Sequence, residues 1–134
     1  MLRGLTTVSF HAEDVAAAAR WYAELLGAEP YFSREVGEQL AYVEFRLGDY
    51  QHELGIIGSD FAPHPRPARP GGAVTYWHVD GVRAAFERLL SMGATVYEEP
   101  VERGPGFVTA SVVDPFGNVL GIMHNRHYLE VLGR

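Results

Sequence analysis

Residues 5–27 read LTTVSFHAEDVAAAARWYAELLG, and residues 73–93 read AVTYWHVDGVRAAFERLLSMG. Each stretch opens as an alternating strand, passes an acidic turn (Glu13-Asp14, then Asp80-Gly81) and continues with apolar residues at helical spacing. The helical positions 15, 18, 19 and 22 recur at 82, 85, 86 and 89. His11, at the end of the first strand, recurs as His78. One offset of 67 residues, Val15 to Val82, relates all these pairs. Both helices run out at Gly-Ala, Gly27-Ala28 and Gly93-Ala94, where glycine can adopt the left-handed conformation that closes a helix.

Working outward, each helix is followed by strand-like runs. In the first half these are residues 31–34, 40–47 and 52–57; in the second they are 95–98, 107–113 and 119–124. Turn residues separate them: Gly37, Gly48-Asp49, Gly104-Pro105-Gly106 and Asp114-Pro115-Phe116-Gly117. The pattern predicts an α+β fold of two β-α-β-β-β modules, residues 1–58 and 73–125. A linker, 59–72, carries Pro63, Pro65, Pro67 and Pro70 and reads as extended. Residues 126–134 form a tail that could fold back over the modules or pack on a second subunit, and the whole is expected to be one structural domain. A four-stranded sheet with one helix leaves one face bare. Two such modules are expected to turn their bare faces together, curved around a ligand cleft.

Period-2 alternation assigns the faces. Val8 and Phe10 oppose Thr7, Ser9 and His11; Thr75, Trp77 and Val79 oppose Val74, Tyr76 and His78. The apolar sets should cover the helices. Thr7, Ser9, His11, Tyr76 and His78 should line the cleft, where Tyr76 could stack on a flat ligand.

Composition excludes whole classes of chemistry. The 134 residues contain no cysteine, so disulfides, cysteine–zinc sites, iron–sulfur clusters and thiol nucleophiles are ruled out. The net charge is −6, and the eleven Lys and Arg are scattered without a basic run, which argues against nucleic acid as a partner and mildly favours a neutral or cationic ligand. No apolar stretch approaches the roughly 20 residues of a spanning helix, and the first ten residues do not read as a secretory signal. A cytoplasmic protein with no membrane partner is expected. Gly71-Gly72 follows the proline run and precedes a strand, the wrong context for a phosphate loop.

The paired modules, the ARWYAELLG segment (residues 19–27) and the VVDPFGN segment (residues 112–118) resemble the vicinal oxygen chelate superfamily, which includes glyoxalase I, bleomycin resistance proteins and extradiol dioxygenases. The resemblance runs from about Leu5 to His124. It implies that metal enzymes of this type hold a divalent ion with one ligand on the first and one on the last strand of each module. Those positions fall here on Thr7, Glu53, Val74 and Gly121, of which only Glu53 ligates well. A catalytic ion needs about three protein ligands. The resemblance also implies a homodimer, with modules able to pair across chains.

Two readings follow. The first is a metal-free, cofactor-free binding protein of the bleomycin-resistance type, without catalytic residues. It would sequester a partly aromatic small molecule, possible grounds for antibiotic resistance, among Ser9, His11, Glu53, Tyr76 and His78, with apolar contacts from Ile57 and Met123. The second is a glyoxalase- or dioxygenase-type enzyme, a lyase, isomerase or ring-cleaving catalyst, with a divalent metal on His11, Glu53 and His78. A metal-free lyase or isomerase using Glu53 or His78 as base is a further variant. Whether any reaction is catalysed stays open at this point.

Overall fold

Asp14 starts the first helix. Its backbone is extended and its carboxylate accepts the Ala17 N–H at 3.0 Å, satisfying one of the donors a helix leaves open. The helix, α1 (Val15–Leu26), ends where Gly27 adopts φ 66°. It turns Val15, Ala18 and Tyr22 inward, and the Tyr22 ring meets Phe10 of the preceding strand at 6.1 Å.

The computed structural model describes residues 1–133 and resolves them into two units that divide between Arg66 and Pro67, within the proline-rich segment. In unit one, α1 joins strands β1 (Thr7–Ala12), β2 (Phe32–Val36), β3 (Gln39–Leu47) and β4 (His52–Gly58). The sheet order is β1-β4-β3-β2, with β1 parallel to β4 and the other pairs antiparallel. One face packs on α1 through Phe10, Ala12, Ala41, Val43, Phe45, Leu54 and Ile56, all buried. Each such large side chain removed from water contributes roughly 1.5–3 kcal/mol before entropy is counted.

Unit two repeats the plan with β5 (Tyr76–His78), α2 (Val82–Ser91), β6 (Thr95–Gly104), β7 (Phe107–Val113) and β8 (Val119–Asn125), in the order β5-β8-β7-β6. Its helix face buries Val82, Phe86, Leu89, Ala110, Val112, Leu120 and Ile122. The fold is therefore α+β, with two four-stranded mixed sheets. Residues 59–61 form a single 3-10 turn, and 62–75 contain no helix or strand.

Some boundaries differ from the sequence reading, for physical reasons. Strand β6 continues past Glu98 to Gly104; Pro100 is tolerated because β6 is an edge strand and its pairing shifts between Glu98 and Val101. Residues 126–132 are a helix, α3 (Arg126–Leu132), started by Asn125, whose side-chain oxygen accepts the His127 and Tyr128 N–H groups. Strand β5 spans three residues, not the seven from Ala73 to Val79 that alternation suggests.

The turn between β7 and β8 is built on one buried carboxylate. Asp114, 3% exposed, accepts the N–H groups of Phe116 (2.9 Å) and Asn118 (2.8 Å) and the Asn118 side-chain amide (3.0 Å), while its own N–H donates to the Asn118 carbonyl. Gly117, at φ 94°, supplies the left-handed step.

Candidate functional site

Strand β3 alternates strictly. Ala41, Val43 and Phe45 are buried against α1, so Tyr42, Glu44 and Arg46 stand on the opposite face of sheet one. Register then builds rows across that face. Thr7 pairs with Glu53, which pairs with Arg46; Ser9 with Gly55, Glu44 and Phe32; His11 with Ile57, Tyr42 and Arg34.

Glu53 is the hub of the first row. One carboxylate oxygen accepts the Thr7 hydroxyl at 2.7 Å; the other meets the Arg46 guanidinium at 3.3 Å and the Tyr31 hydroxyl at 3.4 Å. The guanidinium also lies over the Tyr31 ring, 4.4 Å from its centre. In the second row Gly55 has no side chain, and the Tyr42 ring occupies the space a Cβ would need. From there the Tyr42 hydroxyl donates to Glu44 at 2.5 Å, and its ring meets Phe32 edge-on at 6.2 Å.

Burial raises the pKa of the Tyr42 phenol, and the Glu53 charge adds to the shift, so the phenol stays a donor at neutral pH. Burial also raises the Glu44 carboxyl, as does Glu53; Arg46 opposes them and does not prevail. A carboxyl held above its unfolded value favours the fold when protonated, and that contribution is lost as pH rises through the raised value. Glu44→Gln, which keeps an acceptor for Tyr42, is expected to flatten this part of the pH–stability profile and to leave the variant at least as stable as the parent at neutral pH. Thermal unfolding across mildly acidic to neutral buffers checks it; an unchanged slope would contradict the assignment to Glu44.

The structure places the sequence-expected residues unevenly. Glu53 sits at the centre of the polar network. Ser9 is exposed beside Gly55, and His11 and Ile57 lie two rows from Glu53. In unit two, Tyr76 is opposite Gly121 and His78 opposite Met123. His78 is nearly enclosed, with its side chain 9% exposed. Its Nδ1 accepts the Asn125 N–H at 3.1 Å and its ring stacks on Tyr128 at 4.8 Å, so the neutral ring carries its proton on Nε2. The imidazole thus fills the ladder position where β5 stops. Tyr31, Phe32, Tyr42, Glu44 and Arg46 were absent from the sequence-derived set.

The donor set does not fit a divalent ion. Thr7, opposite Glu53, spends its hydroxyl on Glu53. The hydrogen bonds Glu53 N–Thr6 O and Gly121 N–Thr75 O are equivalent, so the counterpart of Thr7 is Tyr76 and not Val74. The strand has slid by two residues relative to the helix-based offset. Neither Tyr76, Val74 nor Gly121 offers an imidazole or carboxylate. His11 lies four residues along the strand from the partner of Glu53, about 13 Å. Among the described residues no three His, Asp or Glu gather to hold a metal.

This architecture has relatives. The family model described as the Glyoxalase/Bleomycin resistance protein/Dioxygenase superfamily matches residues 4–122, and the chain belongs to that superfamily. No curated protein matches the sequence. Among solved structures, a glyoxalase-related enzyme from Fulvimarina pelagi is 21% identical over 92% of this chain and 89% of that one, with a TM-score of 0.70. Lactoylglutathione lyase from Agrobacterium tumefaciens is 20% identical over 92% and 94%, at 0.64. TioX from Micromonospora sp. ML1 is 14% identical over 91% and 98%, at 0.66. At these identities the likeness is one of fold. Among the described residues no helix is long and apolar enough to cross a membrane.

Proposed function

We propose that the chain is a metal-free small-molecule binding protein that sequesters a partly aromatic ligand on the face of sheet one opposite α1, in the manner of bleomycin-resistance-type proteins. The observation that carries this reading is the state of Glu53. The one carboxylate at a family ligand position already has Thr7, Tyr31 and Arg46 on its two oxygens, beside the exposed rings of Tyr31 and Phe32. A face of fixed polar groups next to aromatic surface is suited to orienting a ligand. Ser9, His11 and Ile57 extend this face, and Tyr76, His78 and Met123 are proposed as ligand contacts on unit two's own sheet. A cytoplasmic homodimer that protects its host from an antibiotic is the matching biology.

Equilibrium dialysis against a panel of aromatic antibiotics, with and without chelator, tests the reading. Stoichiometric capture that chelator leaves unchanged, with the ligand recovered chemically intact, is expected. Conversion of the ligand, or capture that depends on added divalent metal, would instead favour the enzymatic reading.

A further inference from the structure

Resting on that binding reading, we infer that the ligand of sheet one is a cation: a flat aromatic compound whose protonated amine or amidine pairs with Glu44. Glu44 lies in the middle of the face, between Phe32 on one neighbouring strand and the side-chain-free Gly55 on the other. Among the described residues it has no ion-pair partner in contact, and the one cation acting on its charge is the more distant Arg46. The group it contacts is the neutral Tyr42 hydroxyl, and among the described residues no Arg or His forms an ion pair with it. Arg46 is committed to Glu53 and stacked on Tyr31. Arg34, in the next row, is exposed to solvent and is not among the charges acting on Glu44.

Two carboxylates therefore share one engaged guanidinium, a surplus of negative charge; burial first and the Glu53 charge second raise the Glu44 carboxyl, against Arg46. An incoming cation removes that surplus and gains a charge-assisted hydrogen bond. An anion seated beside Glu44 would meet two carboxylates and one guanidinium already paired with Glu53, so this place on the face disfavours it. The aromatic component is read from Tyr31 and Phe32, 47% and 48% exposed, which offer ring surface within one strand spacing of Glu44.

Fluorescence titration with three probes of similar size decides the matter: cationic 9-aminoacridine, anionic 9-anthracenecarboxylate and neutral 9-anthracenemethanol. The expected result is saturable binding of 9-aminoacridine at least about tenfold tighter than that of the anion, reduced at least about tenfold by Glu44→Gln, on the scale of one charge-assisted contact. Phe32→Ala should also weaken it, with the circular dichroism of both variants unchanged. If the three probes bind alike, or Glu44→Gln changes nothing while Phe32→Ala abolishes binding, the charge assignment falls and the binding face stands. If no probe shows binding that Phe32→Ala removes, the binding face falls too.

Discussion

Gly121→Ala is expected to lower the stability of the protein by about 1–3 kcal/mol, the usual cost of forcing a methyl into a packed site. The added Cβ would lie 2.7 Å from the Thr75 carbonyl oxygen, 2.9 Å from Tyr76 Cδ1 and 3.0 Å from Val74 Cγ1. The Tyr76 ring can swing aside. The Thr75 carbonyl cannot, because it accepts the Gly121 N–H at 3.1 Å and so forms a rung of the β5–β8 ladder. Strand β5 has three residues, and losing that rung should loosen it from the sheet. Chemical denaturation and amide exchange at Gly121 and Val79 provide the measurement; unchanged stability with an intact β5 would refute the packing argument. Gly55→Ala makes a contrast, since its Cβ meets only the tip of the Tyr42 side chain. It should move Tyr42 off Glu44 at little cost to the fold. The same crowding implies that Gly121→Glu, which restores a carboxylate at the family's ligand position, breaks the strand pairing before it creates a metal site.

Asp114→Ala should be more damaging, by about 2–4 kcal/mol, since a buried acceptor of several hydrogen bonds disappears and the donors it served stay behind unpaired. The Phe116 and Asn118 N–H groups both point at the lost oxygen, in a turn that aligns β7 with β8. Asp114→Asn keeps one such acceptor and should fall between Ala and the parent. Urea midpoints for the three proteins check the order. A loss well under about 1 kcal/mol for Ala would mean that the backbone bond from Asp114 N–H to the Asn118 carbonyl holds the turn alone. The Asp-Pro-Phe-Gly-Asn segment that carries the resemblance to the superfamily is thus explained by turn architecture.

Local signals carried most of the fold. Helix spacing, the acidic residue before α1 and the glycine after it, and the turns at Gly37, Gly48 and Asp114 are written in contiguous residues, and the elements stand within a few residues of those positions. The helix-covering face of β1 was equally legible, because Val8 and Phe10 alternate with Thr7, Ser9 and His11; in the fold Phe10 and Ala12 are buried there and Val8 is half-buried. The site was less so. Alternation of Tyr42, Glu44 and Arg46 against Ala41, Val43 and Phe45 was visible in β3. That Arg46 meets Glu53 depends on which residues of β3 and β4 pair, which no single strand encodes. Tyr31 reaches Glu53 from the start of β2. His78 was harder still: its role depends on where β5 stops and where α3 begins, two facts separated by 47 residues.

The imidazole that completes the β5 edge bears on how repeated halves can drift apart. Deleting two residues between a strand and its helix preserves which side chains point inward; deleting one would turn the strand over. Length changes at this joint are therefore admissible only in pairs, and each pair removed exposes a single backbone donor at the strand's end. His78 supplies an acceptor for that donor from a side chain. One well-placed substitution thereby makes a shortened copy tolerable, and the two halves can share a blueprint while their first strands run out of step.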